Sequence, residues 1–170
     1  MVITLTHLMK LGSIPANTSA PSQLDEVDLK IIGELLADGR MPIAKIGRHI
    51  NLSSPAVAER LQRLEAAGVI TGYRAVLDPR AVGYSLTAIV RVKPAPGQLA
   101  RIPELAREIL EVAECHRITG EDCFYLKVYL RSIDDLSRLL DRFLAYGDTT
   151  TSIVNASPVP YRNPPLLATP

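Results

Sequence analysis

The sequence predicts an α+β protein in two parts: a trio of short helices, then a unit in which strands and helices alternate. Three observations carry this. Apolar residues up to Gly68 recur at three- and four-residue spacing, the helical period. From Leu86 onward, stretches of strict alternation take turns with stretches of helical period. Breaks rich in Gly, Pro, Asn and Ser separate these segments. With 47% hydrophobic and 22% charged residues the composition is that of a soluble globular chain, and 170 residues allow one ordinary domain or two small ones.

The elements follow in order. Residues 1–22 end in a Pro/Ser/Asn/Thr cluster and are expected to be a loosely ordered leader; their short apolar stretch lacks a cationic start and is interrupted by Lys10, which argues against a signal peptide. In "LDEVDLKIIGELLADG", Asp25 is placed to cap a helix with Asp28 three residues on. Leu24, Val27, Ile31 and Leu35 form its apolar stripe, and Gly39 is a natural residue to end it. "PIAKIGRHI" follows, with Pro42 in a first-turn position and Ile43, Ile46 and Ile50 on one face. Asn51 can take a left-handed turn conformation, Leu52 can fill the corner, and Ser53 can cap a third helix ending at Gly68. There Val57, Leu61 and Leu64 share a stripe, while Pro55, Glu59, Gln62 and Arg63 face away. Two short helices joined by a tight corner and packed on a preceding helix form a helix-turn-helix over residues 23–68.

Residues 69–83, including "VITGYRAVLD", change period and read as an extended connector or strand. Residues 84–162 make the second unit. Leu86 to Lys93 alternates Leu, Ala, Val, Val against Thr, Ile, Arg, Lys, a strand with one covered face. Residues 98–111 have helical period through Leu99, Ile102, Ala106 and Ile109; Pro103 either delays that helix or kinks it. Cys115–Thr119 and Phe124–Leu130 read as strands joined by a tight "GEDC" turn, Asp134–Ala145 as a helix and Thr149–Val159 as a final strand. The order βαββαβ is that of a ferredoxin-like sandwich. Its small sheet leaves one face to be covered, which favours a homodimer. Residues 163–170 form a tail.

Charge is distributed unevenly although the net formal charge is only +1. Asp25, Glu26, Asp28, Glu34 and Asp38 against Lys30 and Arg40 leave residues 24–42 at −3. Lys45, Arg48, Arg60 and Arg63 against Glu59 leave residues 43–63 at +3. The third helix opens on small residues, Ser53, Ser54, Pro55, Ala56 and Ala58, which permit close approach to a groove. Glu59 and Gln62 then offer polar groups to base edges, with Arg60 and Arg63 positioned for phosphates. That is the layout of a recognition helix entering the major groove of double-stranded DNA. Lys45 and Arg48 are further candidates for phosphate contact; an ordinary solvated face is their bland alternative.

"LDEVDLKIIGELLADGRMP", "LSSPAVAERLQRLEAAGVITGYRAVLDPRAVG", "CHRITGEDCFYLKV" and "TTTSIV" together resemble the Lrp/AsnC, or feast/famine, family of transcription regulators. The likeness runs from Leu24 to about Arg162. It implies a winged-type helix-turn-helix domain, a hinge, and an αβ-sandwich domain that dimerises, senses an amino acid and assembles dimers into tetramers or octamers. On that resemblance the effector would meet the loop Thr119, Gly120, Glu121, Asp122 and Cys123, closed by Thr149, Thr150 and Thr151. Two departures stand out. Pro42 occupies a position where the family commonly caps the second helix with Ser or Thr. The family's Gly-x-x-Asp loop reads Gly120-Glu121-Asp122-Cys123, so that Asp122 could substitute from one residue earlier.

Other functions are disfavoured. Cys115 and Cys123 are too few for a disulfide scaffold, would not face each other across a hairpin centred near Gly120–Glu121, and belong to no CxxC zinc motif. His7, His49 and His116 show no metal spacing, so neither a metal nor another cofactor is expected. No apolar run is long enough to span a bilayer, and a cytoplasmic protein is expected. An enzyme resembling the sirohaem decarboxylases of this fold would need histidine and arginine groups about a large pocket; His116 and Arg117 are the only close pair, and no catalytic set accompanies them. A ligand-binding module without DNA binding is the remaining alternative, against which the +3 stretch speaks.

Overall fold

The computed structural model describes residues 24–166, so the leader and the last four residues of the tail lie outside the described residues. The chain divides into two compact units, Met1–Ala75 with Tyr161–Pro170, and Val76–Pro160.

The first unit holds α1 (Glu26–Ala37), α2 (Ile43–Ile50) and α3 (Ser54–Ala66). A capping box starts α1: the Asp28 N–H donates to Asp25 Oδ1 at 2.8 Å, and the Asp25 N–H donates to Asp28 Oδ2 at 3.3 Å. The three helices close on Ile31, Ile32, Ile46, Val57 and Leu64, with Leu24, Val27, Leu35, Ile50, Leu52 and Leu61 packed around them. Gly39 stands at C′, just after the extended C-cap Asp38; it takes no left-handed φ, and the Asp38 carboxylate accepts the Arg40 N–H to carry the chain round. Two expectations are corrected. Pro42 is the residue before α2 rather than part of its first turn, and supplies no side-chain cap. Ile43 is 37% exposed, since the first turn of α2 projects beyond the core that holds Ile46.

At the α2–α3 corner Asn51 is left-handed, with φ 57° and ψ 45°. The Leu52 N–H donates to Gly47 O at 2.8 Å. Ser53 caps α3 by accepting the Ala56 N–H at 3.4 Å. At the far end Gly68, with φ 70°, lets its own N–H reach Glu65 O and the Val69 N–H reach Leu64 O, a Schellman ending. No strand forms between Gly68 and Ser85, so the segment is a connector and no wing is built there in strand form.

The second unit runs β1 (Leu86–Pro94), α4 (Arg101–Glu108), β2 (Val112–Arg117), β3 (Phe124–Leu130), α5 (Ile133–Leu144) and β4 (Gly147–Ile153). The strands form one antiparallel sheet in the order β2-β3-β1-β4. Ala88, Val90 and Val92 of β1 and Phe124, Leu126, Val128 and Leu130 of β3 point to one face, where both helices cover them with Ile102, Leu105, Ala106, Leu136, Leu139 and Phe143. The boundaries depart from expectation where neighbours override local pattern. α4 starts only at Arg101, which puts Pro103 in its first turn, where no N–H is needed. β2 spans Val112–Arg117 rather than Cys115–Thr119, with a register irregularity between Val112 and Glu114. β4 stops at Ile153 rather than Val159, because β1 offers little beyond the Ala88–Ile153 pair and Thr87 O, which accepts the Val154 N–H.

Candidate functional site

The expected recognition surface exists as a surface. Ser53, Ser54, Pro55, Glu59, Gln62 and Arg63 are exposed, and Ala56 and Ala58 are half-buried beside them. Lys45 and Arg48 on α2 are also exposed and form no ion pair among the described residues. His49 is drawn instead to Glu34 of α1, at 2.8 Å.

The two arginines of α3 are occupied. Arg60 Nη1 donates to Asp28 Oδ1 at 2.9 Å and to Asp25 Oδ2 at 2.6 Å. Arg63 Nη2 donates to both Asp28 oxygens, at 2.9 and 3.0 Å. Asp28 is only 2% exposed, so its carboxylate is a buried hub joining α3 to the start of α1. The Arg60 guanidinium beside Asp25, followed by the capping Asp28 N–H, holds the Asp25 carboxyl below its ordinary value. Sequence reading assigned Arg60 and Arg63 to phosphate and missed this pairing. The adjacent −3 and +3 stretches were the available signal, since opposite charge on neighbouring helices favours internal pairs.

Gly47 is a second residue that sequence reading missed. A Cβ there would stand 2.5 Å from Leu52 O, so α2 packs against the corner through a glycine backbone. Gly47→Ala is expected to destabilise the helical unit by about 1–3 kcal/mol through forced backbone displacement, measured as a lower thermal midpoint for that unit. A midpoint equal to the parent's would show that the corner has room to relax.

In the second unit the Ile118 N–H donates to Cys123 O at 2.9 Å, which closes the loop, and Gly120 has φ 113° at its tip. Thr119, Gly120 and Glu121 are exposed, whereas Cys123 is half-buried against the core. Asp122 lies 3.1 Å from Arg91 Nη1. Arg91 pairs in register with Thr150 on β4 and with Tyr125 on β3, so it brings the loop and Thr150 to the sheet face that carries no helix. Thr149 and Thr151 pair with the buried Val92 and Val90 and belong to the helix-covered side. Of the three threonines, therefore, only Thr150 shares a face with Arg91. Neither Arg91 nor the pair Glu114 and Lys127 was singled out from sequence, and His116, weighed there for metal and decarboxylase chemistry, lies instead beside Glu114. Burial raises the Glu114 carboxyl, but His116 and Lys127 outweigh it and hold it below its ordinary value. A cavity of about 520 Å³ opens near Leu99, Ala100, Pro103, Cys115, Arg117 and Phe124. Burial pushes the Cys115 thiol up, away from thiolate chemistry. Among the described residues no group of three His, Cys, Asp or Glu side chains could hold a metal ion.

A helix-turn-helix whose third helix is capped and exposed at its start, joined to a separate βαββαβ unit, defines a two-unit regulator of the DNA-binding class. The family comparisons agree: residues 24–65 match the AsnC-type helix-turn-helix domain and residues 87–164 the Lrp/AsnC ligand binding domain. The chain belongs to the Lrp/AsnC family of transcriptional regulators. It is 30% identical over 132 residues to the HTH-type transcriptional regulator LrpC of Bacillus subtilis, covering 78% of this chain and 92% of that one. It is 36% identical over 129 residues to the HTH-type transcriptional regulator LrpA of Mycobacterium tuberculosis, covering 75% and 86%. Among solved structures, the feast or famine regulatory protein of M. tuberculosis complexed with L-methionine superposes with a TM-score of 0.78 at 34% identity, covering 82% of this chain and 97% of that one.

Proposed function

We propose that this regulator reads double-stranded DNA as a homodimer, placing the Ser53–Gln62 face of α3 in the major groove with Lys45 and Arg48 on flanking phosphates. The observation that carries the reading is the exposed, Ser53-capped start of α3 beside two cations without ion-pair partners among the described residues. Arg60 and Arg63 are left out of the phosphate contacts because Asp28 already holds them. The open sheet face, with Arg91, Lys127 and Tyr125 upon it, supports dimerisation, and further association into tetramers or octamers. An amino acid is the effector class that best fits the loop Thr119–Cys123 with Thr150; the M. tuberculosis and Neisseria meningitidis relatives whose structures contain L-methionine make that the first candidate. We read the chain as a cytoplasmic regulator rather than an enzyme: no helix among the described residues is long and apolar enough to cross a membrane. His116 is turned to Glu114 and the Tyr125 ring rather than into the cavity, which gives the decarboxylase alternative no support.

The test is duplex binding across a salt series, with calorimetry beside it. Lys45→Ala and Arg48→Ala should each flatten the dependence of log K on log salt by about 1.8, the amount for one lost phosphate contact in each protomer of the dimer. L-methionine should bind the parent and bind Asp122→Ala differently, because freeing Arg91 changes the charge of the loop. Unchanged slopes would remove α2 from the interface. Equal calorimetric traces for the two proteins would place the effector elsewhere.

A further inference from the structure

We propose that Asp28 is a positioning residue for DNA recognition: by binding both guanidiniums it fixes the rotation of α3 and withholds Arg60 and Arg63 from the phosphate backbone. The inference rests on the DNA-binding reading and adds a determinant of specificity to it. Arg60 and Arg63 are three residues apart and converge on one carboxylate. Glu59 and Gln62 each precede one of those arginines by a single position, which on a helix turns them about 100° round the axis. With the arginines anchored on α1, that rotation presents Glu59 and Gln62 to solvent, and both are exposed.

The arginines are held by an asymmetry of cost. Asp28 is almost wholly buried and accepts N–H groups from Arg60, Arg63 and the Asp25 backbone. A guanidinium that left for a phosphate would strand a buried carboxylate, and removing the partner of a buried charge is among the most costly changes in a protein. Arg60 carries a second tie to Asp25 and its side chain is 27% exposed; the Arg63 side chain is 59% exposed yet bound to both Asp28 oxygens. From Ser53 to Gln62 the exposed side chains of α3 are neutral apart from Glu59. Such a face gains little from backbone phosphates of arbitrary sequence, so discrimination rests on base contacts.

The experiment uses the full-length protein carrying Asp28→Asn, which keeps the side-chain shape and removes the charge. Binding is measured by fluorescence anisotropy against a random-sequence duplex, and against a duplex enriched from a random pool by the parent protein. For Asp28→Asn folded at the assay temperature, the salt slope on the random duplex should steepen by about 0.9 for each arginine released, and the affinity ratio between the two duplexes should narrow. Adding Arg60→Ala and Arg63→Ala to that variant should return the slope to the parent value. A slope that stays the same or becomes shallower overturns the proposal, as does a steeper slope that survives loss of both arginines. If Asp28→Asn does not fold, Arg63→Ala alone decides: an unchanged slope supports withholding, and a slope flatter by about 1.8, one contact for each protomer, shows Arg63 on phosphate and refutes it. A parent protein that binds neither duplex would instead refute the DNA-binding reading itself.

Discussion

A chain lacking residues 1–75 is expected to lose specific DNA binding altogether while retaining a cooperative thermal transition. Each group proposed to face DNA, from Lys45 to Gln62, lies in the first unit, and no group of the second substitutes for it. The second unit should keep its fold because its core is its own: β1 and β3 supply seven buried apolar side chains in strict alternation, and α4 and α5 cover them. Specific sites are typically bound about 10³–10⁷ times more tightly than arbitrary DNA, and the truncated chain should forfeit that whole margin. Mobility shift on the enriched duplex, together with circular dichroism on heating, reads both halves of the expectation. Retained sequence preference without residues 1–75 would transfer recognition to the αβ unit and refute the assignment. Sedimentation of the same fragment tests the dimer, which should persist at micromolar concentration.

Phe143→Ala should be the most damaging single substitution in the αβ unit, costing about 3–5 kcal/mol. Phe143 is fully buried on α5, where it meets the sheet between Leu136, Leu139 and the side chains of β1 and β3. Truncation would leave an aromatic-sized void bounded by an antiparallel ladder on one side, and a regular ladder cannot collapse to fill it. For a unit of this size each kcal/mol corresponds to about 4–8 °C, so its transition should fall by more than about 12 °C in calorimetry. The transition of the helical unit should move little, since Phe143 belongs to the core of the second unit. A loss below about 1 kcal/mol would mean that α5 slides to close the void.

Periodicity carried most of the architecture. β3 matched residue for residue, because Phe124–Leu130 is central, flanked on both sides, and must alternate. The Asp25 and Ser53 caps and the left-handed Asn51 were legible because each is a local competition settled within a few residues. What escaped was set by partners distant in sequence. The end of β4 is decided by where β1 begins, and the start of β2 by its pairing with β3. At the proposed site, the exposure of Lys45, Arg48 and the start of α3 followed from residue type and helical face. The fate of Arg60 and Arg63 could not, because their carboxylate lies more than thirty positions away. Arg91 was invisible for the same reason: its meeting with Asp122 is a matter of register and not of motif.

The irregular pairing of β2 also bears on how the chain avoids polymerising through its sheet. β2 and β4 are the two margins of the sheet, where backbone donors and acceptors stand ready to recruit further strands and seed fibrils. The register break between Val112 and Glu114 interrupts one margin, and Glu114, His116 and Arg117 place charge or polarity along it. The other margin opens on Gly147 and Asp148 and is rich in threonine and serine rather than large apolar groups. Both margins are thereby guarded against strand-to-strand polymerisation, while the broad sheet face opposite the helices carries no such guard.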